Sequence, residues 1–575
     1  MSWHRLRPDE RRLTAAEPAA TQAAAAAGRT LRPVPRIRAW DVLLLGAFLV
    51  GAALRAWQID IQILIDDEWH AVHKLLRSGP VDILTHLGYA DYSIPLTLYF
   101  QALYRTIGLS EWGMHLPSLL AGIALLLVGP RLLARSFARP TQAIWTTLVA
   151  ISPLLVYHSK IARPYALTSL LTFVAIIAFR AWWIDRRSRD ALLYAAATCL
   201  AGWLHAITLP FTLLPFVYCG VRSLFPVDAA RLLRLVRLGL ATSLALAVVL
   251  GPPLVNDWTE FALKAGRDAV TPQSLYRTAL MVAGVGSAPA AVLVWAAAAL
   301  GFWRLLRRES DLAWYLATIV GVGTAVVASA RAEWISHPLV LARYLIPALP
   351  MFLLLAAEGV AGVVDYLRPP AARPLAVGIG AAALLFAGPI PGEWHYPNQF
   401  WGHLRYQFDY AAQHNPYVQL VPDEPVPAFY TELGKLPAGS VTLIEAPWRP
   451  ESHYNALSLF QDVHHQLIRI GLVTPACGTY DFGEYPEERH GMRMREMVHL
   501  SAVLRGESGG ADYLVVHPKP DHVATDPGAA WPDVSRCLPA IEARLGAPIY
   551  RDGAIVVFAL PHVSPLGNTR RTVQQ

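Results

Sequence analysis

The sequence is short of charge. Only 16% of its 575 residues are Asp, Glu, Lys or Arg, where a soluble chain of this size would carry about a quarter. With 54% hydrophobic residues and a positive mean hydropathy, that shortage excludes an ordinary soluble globular protein. Cysteine is scarce as well. Cys199 and Cys219 lie in apolar runs as small core residues, and Cys477 and Cys537 fall in the C-terminal part. No CxxC or Cys/His metal spacing occurs, which excludes the common zinc modules. A Cys477–Cys537 disulfide stays open if that part lies outside the cytoplasm. The C-terminal part lacks a glycine-rich phosphate loop and a nucleophile elbow. A cleavable signal is not expected, because the first apolar run is long and has no small-residue cleavage site behind it.

What the chain has is apolar runs of about 17 to 25 residues, the length that crosses a hydrocarbon core of roughly 30 Å as a helix. The net charge of +7 does not indicate nucleic acid, because arginines cluster at the ends of these runs, where they set topology. Residues 1–37, rich in Ala and Arg, read as a disordered cytoplasmic tail. If 93–108 crossed the membrane, the Arg131, Arg135, Arg139 cluster would land outside. If it is a juxtamembrane helix, every later arginine cluster falls inside. Residues 58–114 are therefore expected to form one external loop with two amphipathic helices on the membrane. The expected spans are 39–57, 115–134, 141–157, 165–183, 191–207, 209–224, 236–253, 286–304, 312–330, 343–364 and 374–391. The pair 191–207 and 209–224 has one helix kinked near Pro210 as its alternative. About eleven spans put the N-terminus inside and the C-terminus outside the cytoplasmic membrane.

After 38–392 the composition changes. Residues 393–575 carry short apolar strands at 441–446, 512–517 and 554–560, with amphipathic helices between them, 455–470 among them. That alternation points to a soluble α/β domain.

Four polar features map to the outer surface. The first is Asp66, Asp67 and Glu68, followed by Trp69 and His70 at the start of a helix running through Val72, Leu75 and Leu76. Acids at a helix N-terminus also serve as caps and dipole partners, but three in a loop pinned to the membrane point to chemistry. The second is His158 to Tyr165, whose Lys160 and Arg163 lie on the side where positive charge is disfavoured. Snorkelling to headgroups would explain them; a phosphate gripped by arginine explains them better. The third runs from His337 to Arg343 and Tyr344, near Arg331, and the fourth is His205, a residue type that in a span more often serves the core. Carboxylates facing cations suit a reaction in which a carboxylate takes a proton from an acceptor hydroxyl while cations stabilise a departing phosphate.

At these residues the chain resembles the C-type (GT-C) membrane glycosyltransferases, within them the protein O-mannosyltransferase and lipid A aminoarabinose transferase branch. The likeness rests on Asp67-Glu68 after the first span, Ile-Pro-Leu-Thr-Leu-Tyr at 94–99, His-Leu-Pro-Ser-Leu-Leu-Ala-Gly at 115–122, the stretch 152–165 and Arg-Tyr-Leu-Ile-Pro at 343–347. It covers roughly 39–365 in consistent order. It implies a GT-C-like polytopic α-helical fold, Asp67 at the active site with Glu68 beside it, and Arg163 in the second external loop. Asp66, His70, Lys160, Tyr165, His205, His337 and Arg343 then line the substrate. Ile94 stands where many relatives carry His or Lys, so Lys160 or Arg343 would supply that phosphate contact. His115 replaces the usual arginine, and no match is named for the C-terminal domain.

The expected function is inverting transfer of a sugar from a polyprenyl-phosphate donor to a hydroxyl on a glycan, lipid or protein, with membrane lipid as a further partner. No cofactor is assigned. A divalent metal stays open, since branches of the family differ in using one, and no metal ligands are assigned. The alternatives are a transporter or flippase of a lipid-linked glycan, against which the absence of a duplicated half counts, and a non-catalytic scaffold.

Overall fold

The computed structural model describes residues 39–57, 59, 64, 68–87, 93–225, 227–393, 426–446, 460, 463–472, 497–518 and 534–561. The expected tail at 1–37, the acids Asp66 and Asp67, and Cys477 lie outside the described residues.

The chain is a polytopic helical membrane protein with a small C-terminal sheet. Helix α1 is Ala39–Ala56, and three short helices follow: α2 (Glu68–Arg77), α3 (Pro80–Thr85) and α4 (Ile94–Arg105). At 12 residues α4 reaches about 18 Å, short of a hydrocarbon core of roughly 30 Å. Next come α5 (Glu111–Leu133), α6 (Arg139–Ile151), α7 (Pro153–Tyr157), α8 (Tyr165–Asp185) and α9 (Ser188–Leu204). Helix α10 (Leu209–Leu224) is separated from α9 by His205 and a short 3-10 turn, so the two are distinct helices. Then follow α11 (Ala229–Asn256), α12 (Trp258–Leu263), α13 (Pro272–Ala283), α14 (Ala288–Arg308), α15 (Ser310–Ala317), α16 (Gly323–Ser329), α17 (Pro338–Leu345), α18 (Leu349–Val364), α19 (Ala372–Ala387) and α20 (Ile390–Glu393).

Eight of these elements are long and apolar enough to cross a membrane, α15–α16 and α17–α18 each counting as one. Of the other three expected spans, α19 is apolar but has 16 residues, α9 has 17, and α6 has 13 before the chain breaks at Ser152. The span Pro338–Val364 is largely buried and forms the axis of the bundle, while Ala39–Ala56 and Ala229–Asn256 are mostly unburied and lie at its edge.

Helices α14 and α18 pack backbone to backbone. A Cβ on Gly301 would stand 1.8 Å from the Leu355 carbonyl, and one on Gly359 would stand 1.9 Å from the Ala297 carbonyl. Small residues allow this approach, and dispersion between the helices is what holds spans together where no water is displaced. One end of the bundle is closed by ion pairs. Glu358 on α18 meets Arg308 at 3.1 Å and Arg304 at 3.8 Å, both from α14, and accepts from Thr141 on α6 at 2.9 Å. Arg180 on α8 pairs with Asp311 at 3.1 Å and with Glu309.

The C-terminal sheet has the order β3-β2-β1-β4-β6-β5, from β1 (Thr442–Ala446), β2 (Leu467–Leu472), β3 (Met497–His499), β4 (Tyr513–Val516), β5 (Tyr550–Arg551) and β6 (Val556–Ala559). The first four in space are parallel, and β6 and β5 run antiparallel at the edge. Helices α21 (Ala428–Leu433), α22 (Leu500–Leu504) and α23 (Leu538–Leu545) accompany it. The strands expected at 441–446, 512–517 and 554–560 are present. The amphipathic helix expected over 455–470 is not continuous: from Leu467 onward the chain is β2, in parallel register with β1 from Thr442↔Leu467. Leu467, Ile468 and Ile470 fit either periodicity over so short a run, and pairing with β1 decides for the strand. Cys537 is buried and disulfide-bonded, and Cys199 and Cys219 are free thiols.

Gly359→Ala is expected to destabilise the bundle by about 1–3 kcal/mol or more, the usual cost of overpacking. Gly378→Ala, with open space around it, is expected to leave stability unchanged. Thermal unfolding of the purified protein checks this, and equal melting of the two variants would contradict the α14–α18 contact.

Candidate active site

The end of the bundle away from the Glu358 ion pairs is where the helices are broken, and the expected site residues gather there. Glu68 is the first residue of α2, which buries Ala71, Val72 and Leu75. Its carboxylate is 1% exposed. One oxygen lies 3.0 Å from His115 Nε2 on α5 and also accepts from the Ala162 amide. Glu68 therefore binds the start of α2 both to α5 and to the turn before α8. It is built as a tie between elements, with Asp67 as its immediate neighbour in the chain.

That turn, His158 to Pro164, exists because α6 ends at an extended Ser152 and α7 restarts at Pro153. His158, Lys160 and Arg163 are buried in it, as is Tyr165 directly after it. Ser118 on α5 donates to the Arg163 carbonyl at 3.0 Å. His158 Nδ1 donates to the Leu154 carbonyl at 2.8 Å, which leaves Nε2 as the acceptor of a neutral ring. Burial holds this imidazole down to about 3, against its bond to Leu154, and the Arg343 and Arg163 charges add to the fall.

Tyr165, at the start of α8, is the hub. The Arg163 guanidinium lies 5.9 Å from its ring centroid, and that of Arg343, from α17, lies 5.8 Å away. The rings of His158 and His205 stand 5.0 and 5.7 Å from it, and His205 continues to Tyr344 at 6.0 Å. Both outlying histidines begin helical turns. His205 Nδ1 accepts from the Ile207 amide at 3.3 Å and His337 Nδ1 from the Leu339 amide at 3.2 Å. Burial holds His337 down to about 3, with Arg343 adding to the effect, so it serves α17 as a neutral cap.

Of the expected residues, the structure brings together Glu68, Arg163, Tyr165, His205 and Arg343, and buries Lys160 in the same turn. His337 sits at the other end of the short helix that carries Arg343. His70 is on α2, half-buried. Asp66 and Asp67 lie outside the described residues. Among the described residues no three His, Cys, Asp or Glu side chains group as metal ligands. Sequence reasoning did not single out Ser118, which holds the Arg163 carbonyl, or Arg55, which is buried in the last turn of α1, and gave His115 no role. Arginine in the last turn of an apolar span was the available signal for Arg55.

The fold and site define a polytopic membrane protein whose broken helix ends bring Arg163 and Arg343 to the Tyr165 ring, with Glu68 bonded to the same turn. No protein-family description matches the chain, and no curated protein matches it. Among solved structures the chain is similar to ArnT from Cupriavidus metallidurans in the apo state, with 16% identity over 90% of this chain and 97% of that one and a TM-score of 0.44. It is likewise similar to ArnT from Cupriavidus metallidurans bound to undecaprenyl phosphate, with 15% identity, 90% and 98% coverage and a TM-score of 0.43. Likeness at this level leaves the chemistry to be argued from the residues.

His115→Leu is expected to cost about 3 kcal/mol or more, because it removes one member of a buried pair. His115→Gln keeps a donor and is expected to retain most of that stability. Melting of the two purified variants decides it, and equal losses would remove the His115–Glu68 tie.

Proposed function

We propose that the chain is an inverting glycosyltransferase that moves a sugar from a polyprenyl-phosphate donor to an acceptor hydroxyl at the outer face of the cytoplasmic membrane. The observation that carries the reading is the approach of two guanidinium groups, Arg163 from the turn before α8 and Arg343 from α17, to the one Tyr165 ring, with Lys160 buried in the same turn as Arg163. Guanidinium groups that converge in this way suit a phosphate, and arginine can hold two of its oxygens at once. The acidic loop supplies the opposite charge. Asp67 takes the proton of the acceptor hydroxyl, whose oxygen forms a bond to the anomeric carbon on the face opposite the phosphate. The bond from that carbon to the phosphate oxygen breaks, and its electron pair leaves with the phosphate, where the arginines stabilise it. The phosphate departs as a stable anion, so no general acid is needed. The acceptor is a glycan, a lipid or a protein hydroxyl. The arginine pattern along the chain supports the outward orientation of the site. Charges at helix ends rather than mid-helix favour transfer over transport.

Asp67→Asn is expected to lower transfer by about 10²–10⁴-fold, the range of a lost general base, with insertion intact. Sugar transfer by purified protein measures it, and near-normal activity would reject Asp67 as the base. Arg163→Ala and Arg343→Ala are each expected to raise the donor KM by about tenfold or more, since each removes a charge-assisted bond, with acceptor KM little changed. Titrating donor and acceptor separately tests this, and an unchanged donor KM would count against the phosphate assignment.

A further inference from the structure

We infer that Arg55, on the first span, is a positioning residue that sets the spacing between the acidic loop and the cationic turn. This deepens the glycosyltransferase reading and rests on it only for its kinetic consequence. A helix that stops leaves its last carbonyls without intrahelical donors, and inside an apolar bundle each must find another partner. Helix α6 stops at extended Ser152, and Pro153 brings no N–H to continue the ladder. Arg55 is fully buried and supplies the missing donors. Its Nη2 donates to the Val149 carbonyl at 3.0 Å, and its Nη1 to Ala150 at 3.1 Å and to Gly51, one turn back on α1, at 2.9 Å.

The position of this knot gives it its effect. Eleven residues beyond Arg55 the chain reaches the Asp66–Glu68 cluster, and eleven beyond Val149 it reaches Lys160. Arg55 thus fastens the root of the acidic loop to the root of the cationic turn, and the Glu68 bond to the Ala162 amide fastens the two again further out. Helix α5 closes over the knot. A Cβ on Gly122 would lie 2.1 Å from Ser159 Oγ and 3.0 Å from Arg55 Nε, so no larger residue could let α5 come this near. Arg55 acts through the backbone that carries the site residues.

The test is hydrogen exchange at the Ala162 amide of the full-length purified protein, with donor kinetics alongside. In Arg55→Met the Ala162 amide is expected to exchange about tenfold faster or more, the shift carried by one net hydrogen bond, while amides of α14 and α18 keep their wild-type rates. Donor KM is expected to rise about 10- to 100-fold, as misplacement by an ångström can cost, with acceptor KM unchanged and Arg55→Lys intermediate. Unchanged exchange at Ala162 overturns the inference, and so does acceleration shared equally with α14 and α18, which would mean general loosening. If Arg55→Met cannot be recovered from membranes, Arg55→Lys is judged by the same two outcomes. A wild-type protein that transfers no sugar defeats the glycosyltransferase reading, while the exchange measurement still decides the role of Arg55.

Discussion

Within a bundle of apolar helices a backbone group cannot turn to water, so every break in a helix must be met by a side chain. This constraint organises the protein. The chain breaks at Ser152–Pro153, and Arg55 takes the freed carbonyls. It turns through 158–164, and Glu68 and Ser118 take the Ala162 amide and the Arg163 carbonyl. It restarts helices at 206 and 338, and His205 and His337 take the first amides. The polar residues that repair these breaks are therefore concentrated at one end of the bundle, and that end carries the candidate site.

The two ends handle charge differently. At the far end Arg180, Arg304 and Arg308 meet Asp311 and Glu358 from neighbouring spans, and these pairs lock helix ends together. At the site end the arginines gather around an aromatic ring, and Glu68 is bonded by an imidazole and a backbone amide. The first arrangement neutralises charge within the scaffold. The second concentrates positive charge at the start of α8.

The C-terminal sheet has a polar knot of its own. Glu445 on β1 accepts from His517 at 2.7 Å and from Tyr430 at 3.0 Å, all three buried, where the chain leaves β4. Together with parallel pairing of β1 to β4, this fixes the ends of two central strands. A buried carboxylate is tolerable there because its oxygens are met by an imidazole and a phenol.

The sequence by itself determined the membrane class, the long apolar helices of the bundle and three strands of the sheet. It did so because length, apolar periodicity and prolines act locally. It also marked Arg163, Tyr165 and Arg343 by their unusual positions at the ends of apolar runs. It could not show that 467–470 pairs as a strand, since that depends on β1 lying alongside. Nor could it show that Glu68 bonds to His115, 47 residues away, or that Arg55 caps a helix end 94 residues away. Those assignments were made only by tertiary structure, because a hydrogen bond between distant segments leaves no periodic trace in the chain. It arises only where packing places a donor against a carbonyl or carboxylate that has nowhere else to turn.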